Sequence, residues 1–170
     1  MHESDLTTII GIEKLNYDFC DKPLVVGGLA MEYFGLRLHG DDIDFIISDR
    51  DYQNLKRQYP KQRKDVWADF GLVIDGFELF RSMYKFDYSY YTQGSLELTH
   101  FRMVSIDMLF RMKIYAMDAG EKHQADVKRL RDHFDQQQNK CYQAYLANHL
   151  DRYANSDSGI FVGVDYSDEE

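Results

Sequence analysis

The chain has 170 residues, of which 44% are hydrophobic and 29% charged, and its net charge is −9. That size and balance describe a globular chain of about one ordinary domain and exclude a disordered or fibrous one. The negative charge argues against a protein that coats nucleic acid through its whole surface. Two cysteines, Cys20 and Cys141, cannot make a disulfide framework, and neither has histidines at zinc spacing. The longest apolar-plus-glycine run, Leu24 to Met31, is too short to span a bilayer. The start, Met-His-Glu-Ser-Asp, lacks the basic region of a secretory signal. The expectation is a reduced, cytoplasmic protein with no membrane partner.

Apolar spacing predicts a helix over residues 5–20, stopped by Pro23. Leu24-Val25-Val26 reads as a buried strand ended by Gly27-Gly28, and Leu29 to Leu36 as a short helix. Asp41 to Ser48 is the clearest strand, with Ile43, Phe45 and Ile47 alternating against Asp42, Asp44 and Ile46. Residues 50–59 read as a helix before Pro60. The basic stretch Arg50, Lys56, Arg57, Lys61, Arg63 and Lys64 fits a solvated helix and loop, and fits equally a surface that meets phosphate.

From Phe70 to Val104 the pattern is β-rich, with strands expected at 72–74, 77–80, 86–91 and 96–104. Helices follow from Ser105 to Met117 and from Glu121 to about Gln138, with a last one over Cys141 to Tyr153. The expected class is α+β: a mixed β-sheet flanked by helices, with C-terminal helices. One domain is expected over 1–150, its helical cap starting near 105. Residues 151–170 carry six acids and one arginine and read as an acidic, flexible tail.

One constellation carries chemistry. Two glycines at a strand-to-helix junction let backbone N–H groups approach a polyphosphate. Asp42 and Asp44, two apart on a strand, leave the same face about 7 Å apart at Cα. Carboxylates so placed converge on a hard cation, and Mg²⁺ held by one or two carboxylates plus substrate phosphates is the usual arrangement.

The stretch Val25-Val26-Gly27-Gly28-Leu29-Ala30, through Gly35-Leu36-Arg37, to Asp42-Ile43-Asp44-Phe45-Ile46-Ile47 resembles the nucleotidyltransferase (polymerase-beta-like) superfamily. The subgroup is similar to small bacterial lincosamide and aminoglycoside nucleotidyltransferases and abortive-infection toxins. The resemblance implies a third acid on a later strand, which Glu78 in Phe77-Glu78-Leu79-Phe80 fits, with Asp75 and Asp87 competing. Ser105-Ile106-Asp107-Met108-Leu109 through Lys113, then Lys122-His123 through Asp126-Val127 to Leu130, fit the family's later helices. Two departures stand out: Gly40 occupies a position that is commonly Thr, and Glu78 one that is usually Asp.

The resemblance implies transfer of a nucleoside monophosphate from a nucleoside triphosphate, ATP in the first instance, to an acceptor hydroxyl. Asp42 and Asp44 would hold Mg²⁺, Glu78 would take the acceptor's proton, and Gly27 and Gly28 would cradle the triphosphate. Arg37 or Lys113 would balance its charge. Lys113 falls among Ile106, Leu109, Phe110 and Met117 on the helix, so it either snorkels outward or neutralises a phosphate or carboxylate. The acceptor is open between a drug, a protein side chain and a tRNA end. The alternative is a catalytically inactive nucleotide-binding module of the toxin–antitoxin kind, pairing with a partner protein. A third carboxylate beside the aspartate pair discriminates the two.

Overall fold

The computed structural model of the chain describes residues 2–66 and 69–136. It is an α+β protein with a mixed seven-stranded sheet. The described residues fall into two compact units, one ending at Ser105 and the other beginning at Ile106. The helix expected at 141–153 and the acidic tail lie outside the described residues. Among the described residues, no helix is long and apolar enough to cross a membrane.

In the first unit, helix α1 (Glu3–Ile10) ends sooner than its apolar spacing suggests. Gly11 adopts φ 55°, a left-handed cap that returns its N–H to Thr7, and a single 3₁₀ turn follows over Ile12–Leu15. Strand β1 (Leu24–Val25) leads straight into α2 (Gly27–Tyr33). Strand β2 (Ile43–Ile46) and helix α3 (Asp49–Gln58) come next. The antiparallel strands β3 (Arg63–Val66), β4 (Asp69–Ile74) and β5 (Phe77–Phe80) follow. A two-stranded ribbon joins β6 (Ser82–Met83) to β7 (Phe86–Asp87).

The aromatic run 86–91 is not one strand. Asp87 accepts from the Tyr90 N–H and caps the short helix α4 (Tyr88–Tyr91). A helical turn puts the adjacent Tyr90 and Tyr91 both inside, with Phe86 stacked on Tyr90 at 4.2 Å. Residues 96–104 likewise form a hairpin, β8 (Leu96–Glu97) and β9 (Arg102–Met103), rather than one strand. The segment 63–66, read as part of a solvated basic stretch, is the edge strand β3.

The sheet order is β3-β4-β5-β2-β1-β9-β8. The β2–β5 and β1–β9 pairs are parallel and the others antiparallel. Registered partners share a face, so Phe45, Phe77, Leu79, Leu72 and Ile74 form one apolar side, each at most 3% exposed. Burying each such side chain is worth roughly 1.5–3 kcal/mol. The opposite side carries Leu24, Ile46 and Phe80 inward, and Asp44 and Glu78 toward the start of the strands.

A buried carboxylate locks α3 to the chain before β1. Ser48 Oγ accepts from the Asp51 N–H and donates to Asp51 Oδ2 at 2.7 Å. Asp51 Oδ1 accepts from Tyr17 Oη and from the Cys20 N–H, while Oδ2 also accepts from the Asp21 N–H. Burial alone would push this carboxyl up, but hydrogen bonds from Ser48, Cys20, Asp21 and Tyr17 together hold it below its usual range.

The second unit contains α5 (Ile106–Tyr115), a 3₁₀ turn over Met117–Ala119 and α6 (Glu121–Gln136). Gly120, at φ 141°, separates the helices as its position in the sequence suggests.

Asp51→Ala should lower stability at neutral pH by about 3 kcal/mol, since several charge-assisted hydrogen bonds go at once. Because the folded pKa is depressed, this contribution is complete above the unfolded value of about 3.9 and is lost as pH falls through the folded value. Urea denaturation at pH 7 and pH 3 checks both points: the gap between wild type and Asp51→Ala should narrow at pH 3.

Candidate metal and phosphate site

The site starts where β1 ends. The Val26 N–H donates to the Asp44 carbonyl at 3.0 Å, which extends the β1–β2 pairing by one residue and sets Gly27 against the Asp44 side chain. Gly27 has φ +62°, and a Cβ there would lie 1.8 Å from Asp44 Oδ2. No side-chain-bearing residue could keep both that backbone and that carboxylate position. Gly28 is more tolerant: its Cβ would meet Arg37 Nη1 and the Gly40 N at 3.5 Å.

Parallel pairing of β2 with β5 places Asp44 in register with Glu78. One ligand oxygen from each of Asp42, Asp44 and Glu78 then lies within 4.8 Å of the others. Asp42 is exposed, whereas Asp44 and Glu78 are half-buried. Neither of the two other acids considered for the third position belongs to this cluster. Asp75 sits at φ 49° in the exposed β4–β5 turn, and Asp87 caps α4.

The loop from Arg37 to Asp41 is tied to α2. The His39 N–H donates to Glu32 Oε2 at 2.8 Å, and the His39 ring Nδ1 pairs with the same oxygen. These backbone and side-chain bonds from His39 hold the Glu32 carboxyl below its ordinary range. Arg37 Nη1 donates to the Leu38 carbonyl at 2.8 Å, within the same loop. At Gly40 a Cβ would stand 3.0 Å from Asp42 Oδ1, so the glycine leaves the Asp42 carboxylate its room. Beyond the loop, a cleft of about 320 Å³ opens between Ile9, Lys14, His39, Asp41, Asp75 and Phe77.

Lys64 was not foreseen. From β3, its Nζ donates to Glu78 Oε1. Locally the residue is one of six basic side chains in a polar stretch. Only the β3–β4–β5 register, which carries Lys64 across to Glu78's face, distinguishes it. Glu32 was also missed, because its role depends on the return of the loop to α2.

Three carboxylate oxygens this close suit a hard divalent cation, since Mg²⁺ and Ca²⁺ take oxygen ligands and soft metals prefer nitrogen or sulfur. The donor set therefore fits the Mg²⁺ that the sequence pattern implies.

Lys113 belongs to the second unit. Its Nζ lies 2.9 Å from Asp126 Oδ2, the two side chains being 9% and 0% exposed. Arg129 Nη1 stands 3.6 Å from the other Asp126 oxygen. The lysine neutralises a carboxylate, and the two helical segments picked out in the sequence meet through this pair.

No protein-family model matches the chain, and no curated protein matches it.

Two expectations follow from this geometry. Gly27→Ala should displace the Asp44 carboxylate and cost roughly 1–3 kcal/mol, while Gly28→Ala should stay close to wild type. Denaturation curves and Mn²⁺ titrations of the two variants check the contrast; equal behaviour would contradict it. Lys113→Met should cost about 3 kcal/mol, because it takes the nearer cation from a buried carboxylate, and Lys113→Met/Asp126→Leu should recover most of that. Urea denaturation of the single and double variants reads the recovery directly.

Proposed function

We infer that the chain is a nucleotidyltransferase of the polymerase-beta-like kind, moving a nucleoside monophosphate from a nucleoside triphosphate to an acceptor hydroxyl, with the α–β phosphoanhydride bond broken and pyrophosphate released. The observation that supports this reading best is the register of Asp44 with Glu78. It adds a third carboxylate oxygen, from a separate strand, to the Gly-Gly and Asp-x-Asp pattern. A tight turn followed by an acidic strand start needs no such third group, whereas proton abstraction from a hydroxyl does.

In this reading Asp42 and Asp44 hold Mg²⁺, which when bound offsets the charge of the phosphate oxygens. Glu78 accepts the proton of the acceptor hydroxyl. Gly27 and Gly28 admit the triphosphate of ATP to the backbone, and Arg37, beside Gly28, balances its charge. Lys113 is already paired with Asp126 within the second unit. The acceptor's hydroxyl must reach Glu78 from the open side of the cluster, where Asp42 is exposed.

A non-hydrolysable triphosphate with Mg²⁺ at 100 times its dissociation constant should stabilise the wild-type chain by roughly 2.7 kcal/mol. The shift should vanish in Asp42→Asn/Asp44→Asn. Glu78→Gln should keep binding and lose transfer from labelled ATP to an acceptor. Binding without transfer in wild type, across drug, protein and tRNA acceptors, would favour the non-catalytic nucleotide-binding module on the same fold.

A further inference from the structure

Three carboxylates within 4.8 Å of one another repel unless positive charge lies among them. The chain supplies such a charge itself. Lys64 donates to Glu78 Oε1, with side-chain exposures of 35% for the lysine and 19% for the glutamate. The lysine comes from the edge strand, two strands away from Glu78 in the order β3-β4-β5. Lys64 registers with Gly71, and Val73 with Glu78, so all four lie on the same face of the sheet. That face also carries Asp44. The contact is a feature of the tertiary fold, and solvent screens it incompletely.

We propose that Lys64 is an internal counter-ion of the carboxylate cluster, held on Glu78. It steadies Glu78 before a divalent cation arrives and weakens that cation's hold once it is there. The proposal rests on the reading of Asp42, Asp44 and Glu78 as a divalent-cation centre. An ammonium group offers three donors and can satisfy one carboxylate without drawing the other two inward. A divalent cation between Asp42 and Asp44 adds a second positive centre a few ångströms from the first, and the two repel. Phosphate charge relieves that repulsion. The site therefore favours a cation that comes with a polyphosphate over a bare one. Lys64 is a positioning residue here, acting through Glu78.

Calorimetric titration of the full chain with Mn²⁺ alone tests the effect on the cation. Lys64→Met should bind Mn²⁺ about tenfold more tightly, the scale of water-screened repulsion between a divalent and a monovalent charge at this range. Lys64→Arg, which keeps the charge, should restore wild-type affinity. Thermal denaturation in EDTA tests the metal-free state through wild type, Lys64→Met, Glu78→Gln and the double variant. Lys64→Met should lower the melting temperature of wild type and leave that of Glu78→Gln unchanged. Additive shifts in EDTA, or equal Mn²⁺ affinity for wild type and Lys64→Met, would overturn the proposal. If wild type shows no Mn²⁺ binding that depends on Asp42 and Asp44, the cation-centre reading fails, and the EDTA cycle still decides whether Lys64 is a counter-ion.

Discussion

The lateral position of β2 between β1 and β5 governs the first unit. Its antiparallel pairing with β1 brings Gly27 against Asp44, and its parallel pairing with β5 brings Glu78 level with the same residue. Both registers are enforced by burial, because a slip of one residue would turn Phe45 and Leu79 off the apolar face and bring charge onto it. The convergence of carboxylates is thus anchored by hydrophobic pairing a few residues further along the same strands. Phe45 stacked over Phe77 at 6.0 Å is the nearest piece of that anchor.

Charge placed in this way is costly without compensation, and the fold compensates it in different ways at different depths. The fully buried Asp51 is met by two backbone N–H groups and two hydroxyls, with no cation needed. The half-buried Glu78 is met by one ammonium. Asp42 stays exposed in water. Hydrogen-bond saturation goes with a permanent structural role, as at Asp51. At the cluster, Glu78 is met by an ion pair with a half-exposed lysine instead.

The buried pair of Lys113 and Asp126 shows how a charged residue on an apolar helix face should be weighed. A lysine among Leu109, Phe110 and Met112 is expensive unless a partner is buried with it, and α6 provides one. The pair links consecutive helices and gives their packing a preferred register, since sliding either helix by a turn would separate two buried charges.

The sequence by itself determined the α+β class, the strand–Gly-Gly–helix–Asp-x-Asp order, the break at Gly120, and the same-face placement of Asp42 and Asp44. These follow from local rules: side-chain alternation and backbone freedom at glycine. Glu78 was legible only as one of three acids, because nothing local separates it from Asp75 and Asp87. What separates them is which strand lies next to β2. The aromatic run 86–91 misled because Tyr and Phe favour strands, whereas the Asp87 cap and the need to bury Tyr90 and Tyr91 together favour a helical turn. Lys64 and Glu32 were decided by tertiary structure alone. Their partners are 14 and 7 residues away, and an ion pair across strands or across a loop has no period in sequence.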